Sequence, residues 1–175
     1  MPETRRLFFA LWPDDEIRHQ LNETAIHYRP EKSRAIRPAN LHATLVFLGL
    51  QPDELLSRIS NAAAMTQGQV FSLSLQQLQV WHRPQVLCLC PEHVPDELMG
   101  LQQQLRQELI DVGVMTEDRK YRPHVTLARK VRHKLDTSQL SPEIVWPVNS
   151  FSLVESILSA EGVRYQELQS WPLNT

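Results

Sequence analysis

Apolar residues recur along the chain with two different spacings, one typical of strands and one typical of helices. Residues 5–12 are apolar on both alternating sets, which predicts a strand buried on both faces. The other predicted strands are residues 41–48, 70–80, 85–90, 123–129, 148–158 and 163–168. Apolar residues at helical spacing predict three helices, each opening with a proline followed by acidic residues. These helices are residues 13–30, 51–65 and 95–113.

The order of these elements contains a rough internal repeat, because each half of the chain runs from a strand through a helix to a strand with a polar pair inside it. We therefore predict an α/β protein of the α+β type, with two pseudo-symmetric lobes of largely antiparallel sheet, outer helices and a central cleft. At 175 residues the chain has the length of one ordinary domain, and we expect residues 1–175 to form a single two-lobed domain.

The polar pair is the same in both halves. His42-Ala43-Thr44-Leu45 and His124-Val125-Thr126-Leu127 each interrupt an apolar run. A strand points residues i and i+2 to one face, so each copy presents an imidazole beside a hydroxyl. One such histidine would more often be structural, but two matched copies at corresponding places in a repeat indicate a joint site in the cleft.

Two histidines and two threonines suit phosphoryl transfer. One imidazole can take a proton from the attacking oxygen while the other gives a proton to the leaving oxygen. The hydroxyls can donate hydrogen bonds to the non-bridging oxygens, where negative charge accumulates. A nearby arginine would add charge-assisted contacts, and the candidates are Arg122, Arg129 and Arg132.

Alternation along the strand separates these arginines. It places Arg129 on the opposite face from Thr126, so that Arg129 reaches the site only if the strand ends or bulges before it. Alternation favours Arg122, which shares the face of His124, although Pro123 between them can end the regular strand.

The paired motifs resemble the His-x-Thr-x signatures of the 2H phosphoesterase superfamily. Residues 6–10, 40–49 and 122–129 resemble in particular its branch of RNA 2′,3′-cyclic phosphodiesterases, also called bacterial 2′-5′ RNA ligase-like proteins. The resemblance covers nearly the whole chain by motif order and length. It implies a two-lobed α/β fold and hydrolysis of a terminal ribose 2′,3′-cyclic phosphate to a 2′-phosphate, without metal or other cofactor.

The resemblance also implies roles for individual residues. The family's proton donor falls on His42 and its proton acceptor on His124. In the hydrolytic direction His124 would activate water, His42 would protonate the departing 3′ oxygen, and Thr44 and Thr126 would hold the phosphate. The expected partner is RNA with a 2′,3′-cyclic phosphate end or a small cyclic nucleotide, and we expect a monomer.

Net charge and aromatic residues say less about function than the two motifs do. A net charge of −2 gives no general attraction to RNA, so any such contact has to come from a local basic patch. Residues 119–134 hold seven basic residues and no acidic one, as in either a solvated loop or an RNA-backbone contact. The aromatic residues considered for base stacking are Phe9, Trp12, Trp81 and Tyr121, although a core position is the simpler explanation of each.

Cys88 and Cys90 share one face of a predicted strand, and we interpret them as buried free thiols in a reducing compartment. The apolar run after Arg6 is too short for a signal peptide, and no stretch is long enough to span a membrane, so we expect a soluble cytoplasmic protein. The other histidines lack metal-ligand spacing and are predicted to lie on the surface. They are His19, His27, His82, His93 and His133.

Three other functions stay open at this point. The same site run in reverse would join RNA ends through a 2′-5′ linkage, because hydrolysis and ligation share one transition-state environment. A non-catalytic RNA-end or nucleotide-binding module would keep the phosphate pocket, although binding alone does not require histidines. A histidine-metal hydrolase is the third alternative.

Overall fold

The computed structural model describes residues 3–132, 134–140 and 142–175. In chain order the elements are β1 (Thr4–Leu11), α1 (Asp15–Tyr28), β2 (Arg34–Ala35), β3 (Ala43–Pro52), α2 (Leu56–Met65), β4 (Phe71–Leu75), β5 (Gln77–Trp81), β6 (Val86–Cys90), α3 (Asp96–Asp111), β7 (Val125–Arg129), β8 (Ile144–Val148), β9 (Ser150–Ser159) and β10 (Gly162–Pro172). Short 3-10 turns at Pro38–Asn40 and Asp53–Leu55 precede β3 and α2.

Most strands belong to one sheet, in the order β10-β9-β1-β3-β7-β6-β5, with β2 paired to β7. Strands β4 and β8 form a separate two-stranded sheet. The pairings between these strands are antiparallel. The predicted α+β class, dominated by antiparallel sheet with helices, is confirmed.

The long sheet consists of two lobes that meet at one residue pair. Strands β10, β9, β1 and β3 form the first lobe, and β2, β7, β6 and β5 form the second. Between β3 and β7, only Ala43 and Val125 are paired in the described part of the chain. A cleft lined by residues of both lobes opens on one face of this junction. The helices lie against the sheet, since α1 contacts β7, α3 contacts β3, and α2 packs on α3.

Strand β1 is central to the core, as its sequence predicts. Every residue from Leu7 to Leu11 is buried, and Leu7, Phe9 and Leu11 belong to the main hydrophobic core. The helix after it also forms where its acidic opening predicts. Asp14 caps α1 by accepting a hydrogen bond from the backbone N–H of Ile17 at 2.9 Å.

Two strand predictions are wrong in detail. The run 70–80 is two strands rather than one, because β4 pairs with β8 while β5 turns at Gln76 to pair with β6. Residues 144–147 fall outside the predicted strands, yet they belong to β8, which contains Pro147. Proline is tolerated there because β8 has β4 on one side only and is an edge strand.

The first motif strand is predicted to end at residue 48, before Gly49, but β3 continues to Pro52. The pairing of β3 with β1 shifts register beside Gly49, whose φ is +71°. An L-residue is strained in this left-handed region, whereas glycine adopts it freely. The glycine thus permits a bulge inside the strand rather than a turn at its end.

Replacing Gly49 by alanine is therefore expected to lower the free energy of unfolding by about 1–2 kcal/mol in urea denaturation. Gly100→Ala is the matched control, because Gly100 lies within α3 and an added Cβ would meet no heavy atom within 4 Å. That variant is expected to gain about 0.5–1 kcal/mol. Equal effects of the two substitutions would contradict the assignment of strain to residue 49.

Candidate active site

The junction pair brings the two motifs side by side. Ala43 and Val125 point to one face of the sheet. The residues immediately before and after each of them therefore point to the other face, and in an antiparallel pair they lie across from one another. The register at the junction sets His42 across from Thr126 and Thr44 across from His124. All four residues line one cleft with a volume of about 1050 Å³.

The backbone orients both histidines in the same way. Nδ1 of His42 donates to the carbonyl oxygen of Asn40 at 2.7 Å, and Nδ1 of His124 donates to that of Arg122 at 2.8 Å. Because a carbonyl only accepts, each neutral ring carries its proton on Nδ1 and keeps Nε2 as a proton acceptor. Nε2 of His42 accepts a hydrogen bond from Oγ1 of Thr44 at 3.0 Å.

Asn40 is a positioning residue whose role the sequence pattern does not predict. Its buried side chain donates from Nδ2 to the carbonyl of Val163 at 2.9 Å and accepts from the N–H of Tyr165 at 3.0 Å. The two bonds tie the turn before β3 to β10, and they hold the carbonyl that orients His42. The sequence shows only that an asparagine stands two residues before the motif histidine, and the hydrogen-bond partners of its side chain become known only from the fold.

Aromatic rings surround His42. Phe8, Tyr165 and Trp12 have ring centroids 4.9, 5.2 and 6.0 Å from its own. Burial lowers the pKa of His42 to about 4, because the charged imidazolium loses its hydration among these rings. The hydrogen bond to the Asn40 carbonyl opposes this shift only in part. In the ligand-free protein at neutral pH, His42 is therefore uncharged.

His124 has a comparable but less enclosed position. Its ring centroid is 4.4 Å from that of Trp81. Burial lowers its pKa, and the positive charge of Arg122 lowers it further. Both motif histidines are consequently available as bases near pH 7, and either can become an acid only when a nearby negative charge stabilises its protonated form.

A bulge in β7 brings Arg129 to the cleft. Thr126 and Ala128 pair with successive residues of β6, which leaves Leu127 as the extra residue. The extra residue shifts the alternation by one position, so that Arg129 lines the cleft together with Thr126. Simple alternation lets Arg129 reach the site only if the strand ends or bulges before it, and the structure has such a bulge.

Arg122, which simple alternation favoured, lies beside His124 and not in the lining of the cleft. Its guanidinium lies 4.5 Å from the ring centroid of Trp81 and donates to the side-chain oxygen of Gln79 at 3.4 Å. The main contribution of Arg122 to the site is its backbone carbonyl, which fixes the ring of His124.

Several cleft residues were missed by sequence reasoning. Arg34 of β2 pairs with Arg129 and lines the cleft beside it. Phe9 was considered for base stacking, yet it lies in the core, and its neighbour Phe8 faces the cleft instead. Phe47 and Tyr165 also line the cleft. Arg34 comes from a loop-like segment without a motif, and Tyr165 comes from a strand more than a hundred residues after His42. The local sequence pattern therefore does not indicate either residue.

The basic tract 119–134 does not form one surface. Arg119 forms an ion pair with Glu117, whereas Arg129 faces the cleft. Lys130 and Arg132 line a second depression of about 320 Å³, together with Lys32. The interpretations of this tract as solvated loop and as nucleic-acid contact therefore apply to different residues within it.

Cys88 and Cys90 are buried free thiols, as predicted, and Sγ of Cys88 lies 3.9 Å from Oγ1 of Thr126. Within the described residues, no cluster of three or more histidine, cysteine or acidic side chains could hold a metal ion. His133 lies outside those residues. None of the helices described is long and apolar enough to cross a membrane.

Two antiparallel lobes that place paired His-x-Thr motifs at one cleft define a 2H phosphoesterase. The chain belongs to the 2′-5′ RNA ligase superfamily, whose family model matches residues 13–157. It is 32% identical to the RNA 2′,3′-cyclic phosphodiesterase of Escherichia coli (strain K12), over 99% of each chain. It is 27% identical to the protein of the same name from Thermus thermophilus, over 96% of this chain and 90% of that one.

Solved structures give the same result. A crystal structure of E. coli LigT complexed with 3′-AMP matches with a TM-score of 0.87 and 29% identity, over 99% of this chain and 100% of that chain. The crystal structure of LigT complexed with ATP matches with a TM-score of 0.86. The likeness therefore extends over both lobes and the junction between them.

The lowered pKa of His42 has a consequence for stability. Between pH 6.5 and 4 the unfolded chain binds a proton at residue 42 that the folded protein does not bind, so the free energy of unfolding falls as the pH falls through this window. We expect His42 to account for about 1–3 kcal/mol of this fall. Urea denaturation at several pH values should show a smaller fall in His42→Gln, and an unchanged pH dependence would contradict the lowered pKa.

Proposed function

We propose that the protein is an RNA 2′,3′-cyclic phosphodiesterase that opens a terminal ribose 2′,3′-cyclic phosphate to a 2′-phosphate. One observation carries the proposal: two His–Thr pairs face a common cleft, and backbone carbonyls fix both rings so that each presents Nε2. Two relatives that match most of this chain bear the name of that activity. The geometry supplies the two proton-transfer groups that in-line displacement at phosphorus requires.

The hydrolytic step uses the two histidines on opposite sides of phosphorus. Nε2 of His124 takes a proton from water as the water oxygen bonds to phosphorus. The bond between phosphorus and the 3′ oxygen breaks, and Nε2 of His42 gives its proton to that oxygen. The products are a free 3′ hydroxyl and a 2′-phosphate, and the proton gained by His124 and lost by His42 is exchanged with solvent.

His42 must carry an extra proton to act as the acid, although its pKa is about 4 in the empty cleft. The cyclic phosphate is an anion, and its charge beside the ring favours the imidazolium form. Binding of substrate therefore raises the pKa of His42 and protonates it. In this way the acid becomes charged mainly when a phosphate is present to receive its proton.

The remaining groups bind the phosphate. Oγ1 of Thr44 can turn from Nε2 of His42 to a non-bridging oxygen, and Thr126 lies across the junction in the equivalent position. Arg129 adds a full positive charge from the wall of the cleft. Together these donors meet the charge that accumulates on the equatorial oxygens in the transition state.

We propose an RNA end or a small cyclic nucleotide as the substrate, with no metal or cofactor in the step. A cytoplasmic location, a monomeric state and a single domain over residues 1–175 stay predictions from the sequence.

Ligation through a 2′-5′ linkage is a second candidate, favoured by the description of the superfamily to which the chain belongs. In ligation the 5′ hydroxyl of a second RNA takes the place of water: His124 takes its proton as its oxygen bonds to phosphorus, and His42 protonates the departing 3′ oxygen. The two histidines exchange roles only when a 2′-5′ bond is cleaved. The products formed from a short RNA that ends in 2′,3′-cyclic phosphate separate the candidates. A 2′-phosphate end supports hydrolysis, whereas a longer RNA with a 2′-5′ bond supports ligation.

Removing either imidazole is expected to lower kcat for cyclic phosphate opening by about 10²–10⁴-fold, because each ring transfers one proton. The variants are His42→Ala and His124→Ala, assayed with a chelator present. His19→Ala, on the exposed face of α1, is the matched control and should retain the full rate.

Full activity in either motif variant would contradict the mechanism. Loss of activity on chelation, with recovery on addition of zinc or manganese, would instead support a metal hydrolase. If the wild-type protein shows no turnover while His42→Gln/His124→Gln still binds a cyclic-phosphate end, the binding module is the better description.

Arg129 and Arg122 are expected to contribute differently to kcat/KM. Arg129→Gln should lower kcat/KM by roughly tenfold or more, because it removes a charged donor that faces the cleft. Arg122→Gln should have a smaller effect, since its guanidinium already contacts Trp81 and Gln79, and its carbonyl is unchanged by the substitution. Steady-state kinetics on one cyclic nucleotide tests this order, and a larger loss in Arg122→Gln would reverse it.

A further inference from the structure

The cleft continues well past the histidines, over one face of the first lobe. The opposite face of β1 carries Leu7, Phe9 and Leu11 into the main core. On the cleft face, Phe8 adjoins His42, and Arg6 lies two residues further from it along the strand. The helices leave this face uncovered, so the sheet itself is the floor of the cleft.

Two bulges in β3 extend the same floor. The register between β1 and β3 shifts on each side of the pair formed by Phe8 and Phe47. As a result, Phe47 lies beside Phe8 and Leu50 beside Arg6 on the cleft face, where strict alternation from Thr44 would have placed other residues. The bulges therefore place a second ring on the floor, beyond the ring that contacts His42.

Arg6 and Phe47 contact each other, with the arginine exposed and the phenylalanine ring half-buried. The guanidinium carbon of Arg6 lies 5.8 Å from the ring centroid of Phe47. Among the described residues no carboxylate lies within salt-bridge distance of Arg6, whereas the adjacent Arg5 is paired with Asp53 and Glu155. We refer to Arg6 and Phe47 as the outer platform, since both the ring and the cation are available to a ligand in the cleft.

The outer platform extends away from the reacting groups, from Phe47, whose partner Phe8 adjoins His42, to Arg6. Ala10 of β1 pairs with Thr44, and Arg6 lies four residues along the same strand, which is roughly 13 Å of extended chain. A cleft of about 1050 Å³ is also at the upper end of what one small ligand fills. A mononucleotide at the histidines would leave this end of the cleft empty.

We propose that the outer platform binds the nucleotide that precedes the cyclic phosphate nucleotide, so that an RNA chain end is a better substrate than a free cyclic mononucleotide. The base stacks on Phe47 beside the guanidinium of Arg6, which lies over the ring and faces the connecting phosphate. Open sheet faces with aromatic rings bind single-stranded RNA in this way, with little dependence on base identity. This inference rests on the proposed phosphodiesterase function.

The second depression offers a different path for the RNA. It is lined by Lys32, Lys130 and Arg132, with Pro30, Ser33 and Val131, and it contains no aromatic ring. It could contact only the phosphate backbone, outside the cleft that holds the histidines. The outer platform is favoured because it is continuous with the site and provides both a ring for the base and a charge for the phosphate.

The test compares kcat/KM for two substrates, adenosine 2′,3′-cyclic phosphate and a trinucleotide of adenosine that ends in the same group. In the wild-type protein the trinucleotide is expected to be favoured. Phe47→Leu should reduce the ratio of the two values by roughly 5- to 150-fold, the range for loss of one stacked base. Arg6→Gln should reduce it by roughly two- to fivefold.

Two comparison variants complete the design. Arg58→Gln, exposed on α2, makes the same charge change as Arg6→Gln and should leave the ratio as in wild type. Lys32→Gln/Lys130→Gln tests the alternative path through the second depression. Thermal unfolding of Phe47→Leu shows whether that variant is folded, and Arg6→Gln tests the platform independently of it.

Each result has one meaning. A wild-type ratio near one, or a wild-type ratio in folded Phe47→Leu and in Arg6→Gln, would overturn the outer platform while leaving the phosphodiesterase function intact. A loss confined to the lysine double variant would overturn it in favour of the second depression. If the wild-type protein opens neither substrate, the proposed function itself fails.

Discussion

The site depends on one backbone pairing, that of Ala43 with Val125. It is the single point at which β3 and β7 meet in the described structure, and it sets the register of everything around it. A shift by one residue would turn every motif side chain to the other face of the sheet, where the core lies. The apolar neighbours of the junction resist such a shift, since Ala43, Leu45, Val125 and Leu127 are all buried. Hydrophobic packing on one face thus specifies the polar constellation on the other.

The same packing that positions His42 also makes it a poor cation. Its aromatic neighbours hold the ring in place, and burial among them lowers its pKa. A ring that is neutral when the cleft is empty makes no lasting ion pair with solvent anions. The affinity of His42 for a proton then depends on the charge of what occupies the cleft.

Much of this arrangement could be predicted from the sequence. The doubled His-x-Thr-Leu pattern identified both strands, and apolar periodicity gave the three helices and the antiparallel class. What could not be predicted depends on departures from regular alternation. A bulge at Leu127 decides between Arg129 and Arg122, and bulges in β3 place Phe47 in the cleft. The hydrophobic pattern of one sequence does not show where a strand contains a bulge, because the position of the bulge depends on packing against a partner strand that is distant in sequence.

Long-range contacts account for the other omissions. Asn40 has no local partner for its amide, and its two hydrogen bonds go to β10, at the far end of the sequence. Arg34 belongs to a strand of two residues that exists only because β7 lies next to it. In both cases the residue type was visible from the start, but its neighbours were not.

The first lobe is assembled from both ends of the chain, since β1 and β3 come from residues 4–52 and β9 and β10 from residues 150–172. The second lobe is nearly continuous in sequence. During synthesis from the N-terminus, the second lobe is therefore complete while β1 still lacks the strand that will flank it. The turn that orients His42 gains its anchor only when β10 has been made, so the arrangement of the two motif histidines is among the last features of the molecule to form. Contacts of such large sequence separation also favour slow folding.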